Sequence, residues 1–374
     1  IAGGISGGLW VNEDIDNPTV PSWTQVTGVP GNLSVSNIVQ DPDDNDFIFV
    51  GTGESYTSGD VNGNGIYRST NGGARFTQVF GSRSGIVSST WNNNNNWWQV
   101  EGYFFINDLV IYDADLTDPN NDKWIYAALG YAVNSRMDIN TLQDLNETGV
   151  YRSQDNGVTW AKLTDSDLTD GLPLQINDIE IQEGTNRIWL STTNSINQYG
   201  GRFFYSDNGT DFTRVSPTYN STPTNIGRTE IASSHTNSAT HYVLMSADNE
   251  AEIYKTTDNF VNLTKLAEPD DADTGIPAND FTRGQSFYDL EVEVDPNDDS
   301  IVYVGGIDWF RSSDGGNNWS QLTKWSNNNN LFGLTVSEVH ADQHGLFFKP
   351  GDSNKAIVVN DGGVAFCSDL ANAS

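Results

Sequence analysis

Apolar and polar positions alternate along this chain over short runs of four to seven residues, each closed by Gly, Asn, Asp or Pro. In one stretch the runs read VSNIVQ (35–40), DFIFVGT (46–52), GIYRS (65–69) and FTQVF (76–80). Alternation with a period of two turns one face of each run toward a core and marks a β-strand. No long stretch carries the i, i+3, i+4, i+7 spacing of an amphipathic helix. The pattern also repeats: segments 65–79, 149–163, 201–215, 252–266 and 308–322 align without gaps, and degenerate copies lie near Trp10 and at 363–374. A shared Asp or Asn stands at Asp14, Asn71, Asp155, Asp207, Asp258, Asp314 and Asp369, at intervals of 57, 84, 52, 51, 56 and 55 residues. Seven units of four short strands predict an all-β chain, a seven-bladed β-propeller of four-stranded antiparallel blades spanning 1–374. The first unit enters at AGGISGGLW as if at the end of a second strand, and the last stops after a third. The chain therefore reads as a piece of a longer polypeptide, with other domains expected in the parent.

The repeated segment is clearest at Ser153, Asp155, Gly157, Thr159 and Trp160, and at Ser312, Asp314, Gly316 and Trp319. Ser69, Asn71, Gly73 and Phe76 are a conservative copy; Tyr205 stands for the Ser in the fourth unit and Phe260 for the Gly in the fifth. Such a segment suits a tight hairpin: the carboxylate accepts turn amides, Gly supplies a positive φ, and the aromatic ring plugs between sheets. It resembles the Asp-box, or BNR repeat, of sialidases, xyloglucanase-type glycosidases, sortilin-type receptors and photosystem assembly factors. The resemblance implies the propeller fold and a structural role for the box residues; it does not choose an activity.

Connectivity sorts the loops. Labelling the strands of a blade A to D from the inside, the C–D turns holding the boxes share a face with the A–B turns, and the D–A and B–C connections share the other. Irregular sequence gathers in the second set, at 81–103, 324–333, 54–65 and 131–147. Binding residues favour variable loops on a rigid scaffold. Trp91, Trp97, Trp98 and Trp325 lie there within Asn-rich sequence, either as a platform for sugar rings or a protein partner or as plugs over the insertions.

At the first position of the inner strands stand Asn37, Asp108, Asp178, Glu230, Asp289 and Asp342, in contexts such as INDLVI and FYDLEV. Asp108, Asp178 and Asp289 are thus candidates for a rim that holds a cation or a cationic group, or for caps on the amides of neighbouring blades. In VHADQHGLFF, strand alternation would put His340, Asp342 and His344 on one face, a spacing fit for a transition metal or for a His–Asp proton shuttle, while calcium is the other possible ion of the chain. Asp361, before Gly362 and Gly363, matches the catalytic Asp-Gly-Gly turn of xyloglucanase-type enzymes; the corresponding turn of the first unit has Ser6 in place of an acid. Asp361, Asp342 and Glu54 are the candidate acid and base residues. A sialidase is not expected: Arg68, Arg152 and Arg311 are repeat residues, and only Arg83, Arg136, Arg228 and Arg283 are placed for a ligand.

Composition narrows the partners. With 50 Asp plus Glu against 18 Lys plus Arg, the net charge of −32 opposes phosphate backbones and anionic lipids, so nucleic acid and membrane surfaces are not expected. No apolar run has the roughly 20 residues a membrane-spanning helix needs. A single cysteine, Cys367, leaves no internal disulfide. The reading is of a secreted or cell-surface propeller that binds a glycan or an extracellular protein through its Trp/Asn loops, or else of a glycoside hydrolase using carboxylates on the same face.

Overall fold

A computed structural model of the chain describes residues 1–5, 7–15, 22–31, 33–56, 63–81, 89–93, 96–100, 105–114, 123–130, 148–168, 174–194, 199–327 and 330–373. The chain is all-β, a seven-bladed β-propeller with antiparallel blades and no helix longer than a three-residue 3-10 turn among the described residues. Blade 1 holds Ala2–Gly4, Gly8–Val11 and Thr24–Gln25, and blade 2 holds Val35–Gln40, Phe47–Thr52, Ile66–Thr70 and Thr77–Phe80. Blade 3 holds Phe105–Asp113, Lys123–Gly130, Gly149–Ser153 and Ala161–Lys162, and blade 4 holds Ile176–Gln182, Arg187–Thr192, Phe203–Ser206 and Thr213–Val215. Blade 5 holds Ile226–Ser233, His241–Ala247, Glu250–Thr256 and Asn262–Lys265, with Thr218–Tyr219 added in parallel to its last strand. Blade 6 holds Glu291–Val294, Val302–Gly305, Trp309–Ser312 and Ser320–Gln321, and blade 7 holds Gln343–Lys349, Asp352–Asn360 and Gly363–Cys367. Among the described residues the first and last blades hold three strands each.

The chain divides into two compact units, one of Ile1–Ile179, Ser195–Asn197 and Ser206–Thr213, the other of Glu180–Asn194, Gln198–Tyr205 and Arg214–Ser374. In the first, Phe49, Ile66, Ile106, Leu109, Ile125 and Leu129 pack blade 2 on blade 3. In the second, Leu244, Ile253, Phe281, Leu290, Val304 and Phe310 join blade 5 to blade 6, and Tyr303, Trp309, Leu346 and Val358 join blade 6 to blade 7. The side chains are those that the period-two alternation turned inward, which is why strand positions were legible from the sequence.

The recurring turn has one geometry. In blade 3, Ser153 Oγ donates to Asp155 Oδ1 at 2.8 Å and accepts Gly157 N at 2.8 Å, while Asp155 Oδ1 accepts Thr159 N at 2.8 Å. Blade 6 repeats it with Ser312, Asp314, Gly316 and Asn318. In blade 4 the roles fall one residue later than the gapless alignment places them: Ser206 Oγ donates to Asn208 Oδ1 at 3.2 Å, and Asn208, rather than Asp207, collects the turn amides. The turn is one residue shorter there, and Phe212 still reaches the core. The repeat arginines tie blades together: Arg152 Nη1 donates to the Gly209 carbonyl at 2.8 Å, and Arg311 Nη1 to the Leu370 and Ala371 carbonyls at 2.7 Å each.

Candidate active site

The first strand of blade 7 opens with an irregularity. Gln343 pairs with Asn360 and Gly345 with Val359, so His344 is an extra residue pushed out of the ladder. A bulge of this kind re-aims its side chain. Blades 2 and 3 carry the same bulge at Ser36 and Asn107, and there it is structural. Ser36 Oγ donates to the Ile106 carbonyl at 2.7 Å and Asn107 Nδ2 to the Ile176 carbonyl at 2.7 Å. His344 Nε2 instead donates to Asp361 Oδ1 at 2.8 Å. The same oxygen accepts Tyr288 Oη at 2.8 Å, and the Tyr288 ring stands edge-on to His344 at 4.5 Å.

The neighbouring carboxyl is that of Asp342, whose backbone is left-handed at φ 66. A non-glycine residue in that region stores on the order of 1–3 kcal/mol and persists only where its surroundings enforce it. Gln343 enforces it: its N–H donates to the Gly306 carbonyl at 2.9 Å, and its Nε2 to the Ile307 carbonyl at 3.1 Å and the His340 carbonyl at 2.6 Å. Behind Asp342 lies Asp289, 0% exposed, whose two carboxyl oxygens receive no N–H or O–H donor from any described residue. The Asp342 carboxyl is its hydrogen-bonding neighbour. Arg228 steadies the segment from blade 5, donating to the Tyr288 carbonyl at 2.5 Å and to Glu230 at 2.7 Å.

These surroundings drive the acids apart. Burial first, then the charges of Asp342 and Asp361, push Asp289 up to about 9. Burial and the charge of Asp361 raise Asp342 as well. Asp361, with its side chain 32% exposed, is held below the usual carboxylate range, chiefly by the His344 bond. Carboxyl groups held in opposite protonation states within one cluster are the equipment of general acid and base chemistry. An aromatic surface adjoins them: Phe287, 41% exposed, lies 6.5 Å from the Tyr288 ring.

Asp342, Asp361, Asp289 and His344 are thus brought together, the three acids on D–A and B–C connections and His344 at the start of the first strand of blade 7, while Glu54 belongs to the other unit and accepts the amide of Tyr56. The metal arrangement expected of His340, Asp342 and His344 is not formed. The strand begins only at Gln343, Asp342 is left-handed and His344 is bulged, so the three do not alternate onto one face. His340 Nδ1 turns to the Ala341 carbonyl at 3.1 Å. Among the described residues no group of three or more His, Cys, Asp or Glu is placed to hold a metal ion. The ladder also puts Gly345, not Asp342, in the place that Asp108 takes in blade 3.

Asp108 follows the capping alternative: it accepts Asn37 Nδ2 at 3.1 Å, Leu109 N at 2.7 Å and Ile179 N at 2.8 Å. Asp178 is half-buried within Ile176–Gln182. Trp325 is half-buried and its Nε1 donates to Asp273 Oδ2 at 2.9 Å. Trp91 pairs with Trp98, and Trp97 with Asn92, in the backbone hairpin Ser89–Asn93 and Asn96–Val100; their side chains lie outside the described residues. Tyr288, Phe287 and Gln343 were not singled out in the sequence. The one available signal was the Phe-Tyr pair preceding Asp289 where other units have Ile-Asn.

No known protein family and no curated protein matches the chain. Solved structures do. The GH74 xyloglucanase from Xanthomonas campestris superposes with a TM-score of 0.52 at 12% identity, over 94% of this chain and 54% of that one. A chain in the COPII coat assembled on membranes gives 0.51 at 8% identity, over 89% of this chain and 38% of its own. YCF48 from Cyanidioschyzon merolae gives 0.48 at 15% identity, over 91% and 96%. At these identities the likeness is one of fold, and the chain spans about half the length of the xyloglucanase. What fold and site together define is a β-propeller with a carboxylate cluster at its blade 6 and 7 loops.

Proposed function

We propose that this chain binds a glycan at the blade 6 and 7 loops and hydrolyses a glycosidic bond there, Asp342 serving as the acid and Asp361 as the base or nucleophile. The observation that carries this reading is the pairing of two unlike carboxyls: Asp361 accepts His344 Nε2 and Tyr288 Oη, which hold it below the usual carboxylate range, while burial and the charge of Asp361 shift Asp342 the opposite way. Glycoside cleavage asks for such a pair, one carboxyl to protonate the leaving oxygen and one carboxylate to attack or to activate water. The exposed Phe287 beside Tyr288 suits stacking of a sugar ring, which favours a glycan over other polar substrates. The recurring Ser–Asp turns support a place among Asp-box propellers, and an extracellular location accords with that class of substrate.

The test is reducing-end release from a panel of polysaccharides that includes xyloglucan, comparing wild type with Asp361→Asn and Asp342→Asn. Each substitution is expected to cut the rate roughly 10²- to 10⁴-fold while retention on a glycan column persists. Release that survives both substitutions sinks the assignment. Absence of release from every glycan, with retention that depends on Phe287, would instead make the chain a non-catalytic glycan-binding propeller; retention of an extracellular protein through the tryptophan hairpin is the further alternative.

A further inference from the structure

Asp289 is the most deeply buried acid of the cluster, and neither of its oxygens receives a donor from any described residue. A carboxylate there would lose its hydration and gain nothing in return. Its hydrogen-bonding neighbour is another carboxyl, that of Asp342, which accepts Gln285 Nε2 at 3.5 Å. Two carboxyl groups hydrogen-bond only when at least one carries a proton, and the proton between them stays on the group that loses more by ionising. Asp342 is half-buried and Asp289 fully buried, so the proton between them belongs to Asp289.

The charged groups facing the pair do not change that assignment. Asp342 and Asp361 both oppose ionisation of Asp289. Arg228 favours it, but its guanidinium is engaged by Glu230 at 2.7 Å and by Glu291 at 3.4 Å. His344 and His340 act on Asp342 and Asp361.

We propose that Asp289 stays a neutral carboxylic acid at neutral pH, a positioning residue whose O–H is donated to Asp342 and stabilises the carboxylate that Asp342 becomes on giving up its own proton. For the part Asp342 plays, this rests on the reading of the preceding subsection. In that step the Asp342 O–H bond breaks and its proton passes to the glycosidic oxygen, the bond from the sugar carbon to that oxygen breaks with its electron pair left on the oxygen, and the carbon bonds instead to Asp361 or to a water whose proton Asp361 takes. The electron pair left on Asp342 is held by the Asp289 O–H, which stays intact. The rise of Asp289 to about 9 preserves this state through neutral pH.

Two measurements test it. The first needs no substrate: an infrared difference spectrum at pH 7 of wild type against Asp289→Asn is expected to show the carbonyl stretch of one protonated carboxyl that titrates near 9. If that band is missing, the proposal falls whatever the enzyme does. The second compares Asp289→Asn, which keeps a donor, with Asp289→Leu, which does not. A hydrogen bond to the charged form lowers a carboxyl pKa. The leucine variant should therefore move the alkaline limb of the pH-rate profile up by about one unit and lower kcat roughly 10- to 100-fold at unchanged KM. The asparagine variant should keep the limb near its original position. A folded leucine variant with an unmoved limb overturns the positioning role. If the leucine variant does not fold, a limb displaced in the asparagine variant overturns it equally. A protein that shows the band yet cleaves no glycan refutes the hydrolase reading and leaves the state of Asp289 established.

Discussion

Phe260 shows how much a single position in the recurring turn can carry. It sits where the other turns place glycine, with φ 64, and its N–H donates to Thr256 Oγ1 at 3.1 Å as the glycine amides do to serine. The strain is offset by burial: the ring is 1% exposed and lies 4.5 Å from Trp189, 4.8 Å from Phe203 and 5.0 Å from His241. Phe260→Gly would relieve on the order of 1 kcal/mol of backbone strain and forfeit roughly 3–5 kcal/mol of packing. The expected net is a loss of about 2–4 kcal/mol, read from the shift of a urea midpoint, and a neutral or stabilising effect would show that strain dominates. Gly362 argues the other way, from space rather than dihedral. A Cβ there would lie 2.5 Å from Cβ and Cγ of His340, so Gly362→Ala must displace the turn that carries Asp361. Hydrolysis should fall about 10²-fold, as expected for a reacting group moved by about an ångström, with the melting temperature nearly unchanged. Equal loss of stability and activity would mean that the turn supports the blade and not the site.

At the scale of the element, the inner strand of blade 3 holds an acid whose contacts are structural. Asp108 links blades by taking Asn37 Nδ2 and the Ile179 amide, and Asp108→Ala leaves buried donors unmet. A cost of about 2–3 kcal/mol is expected with glycan turnover retained, measured by urea denaturation and reducing-end release; turnover lost at full stability would return Asp108 to the site. The sequence made this strand visible because INDLVI alternates, and it made the face visible because its loops are the irregular ones. Register was harder to read. A bulge adds a residue without changing the alternation around it, so aligning Asp342 with Asp108 hid that His344 is the residue pushed outward. The same kind of one-residue ambiguity placed the fourth turn on Asp207 when Ser206 and Asn208 close it. Tyr288 escaped notice for a different reason: its partner Asp361 is 73 residues away, and no local pattern encodes that contact.

For the whole molecule, the surplus of acids that gives a net charge of −32 divides into two populations with opposite pH behaviour. Turn acids such as Asp155, Asp258 and Asp314 are lowered, Asp314 to about 2, by side-chain and backbone donors in the turns. Their contribution is present above the unfolded pKa of about 4 and is lost as pH falls through the folded value. Buried acids run the other way. Burial raises Asp289 to about 9, Glu293 to about 8, and Asp308 and Glu268 to about 7. An acid raised in this way holds its proton more tightly folded than unfolded, so its contribution is full below about pH 4 and is lost as pH climbs through the folded value. The stability maximum should therefore lie near pH 4–6, lower than the usual 5–8, with a decline toward pH 9. Net repulsion deepens that decline, and salt at about 1 M, where screening extends only about 3 Å, should recover part of it. Glu293→Gln removes a proton that the wild type must surrender in alkali. It is expected to raise stability at pH 9 by roughly 1–2 kcal/mol after allowance for solvent screening, and to change little at pH 5. Urea midpoints at the two pH values decide the matter: a variant equally displaced at both would place the effect of Glu293 in packing rather than in its proton.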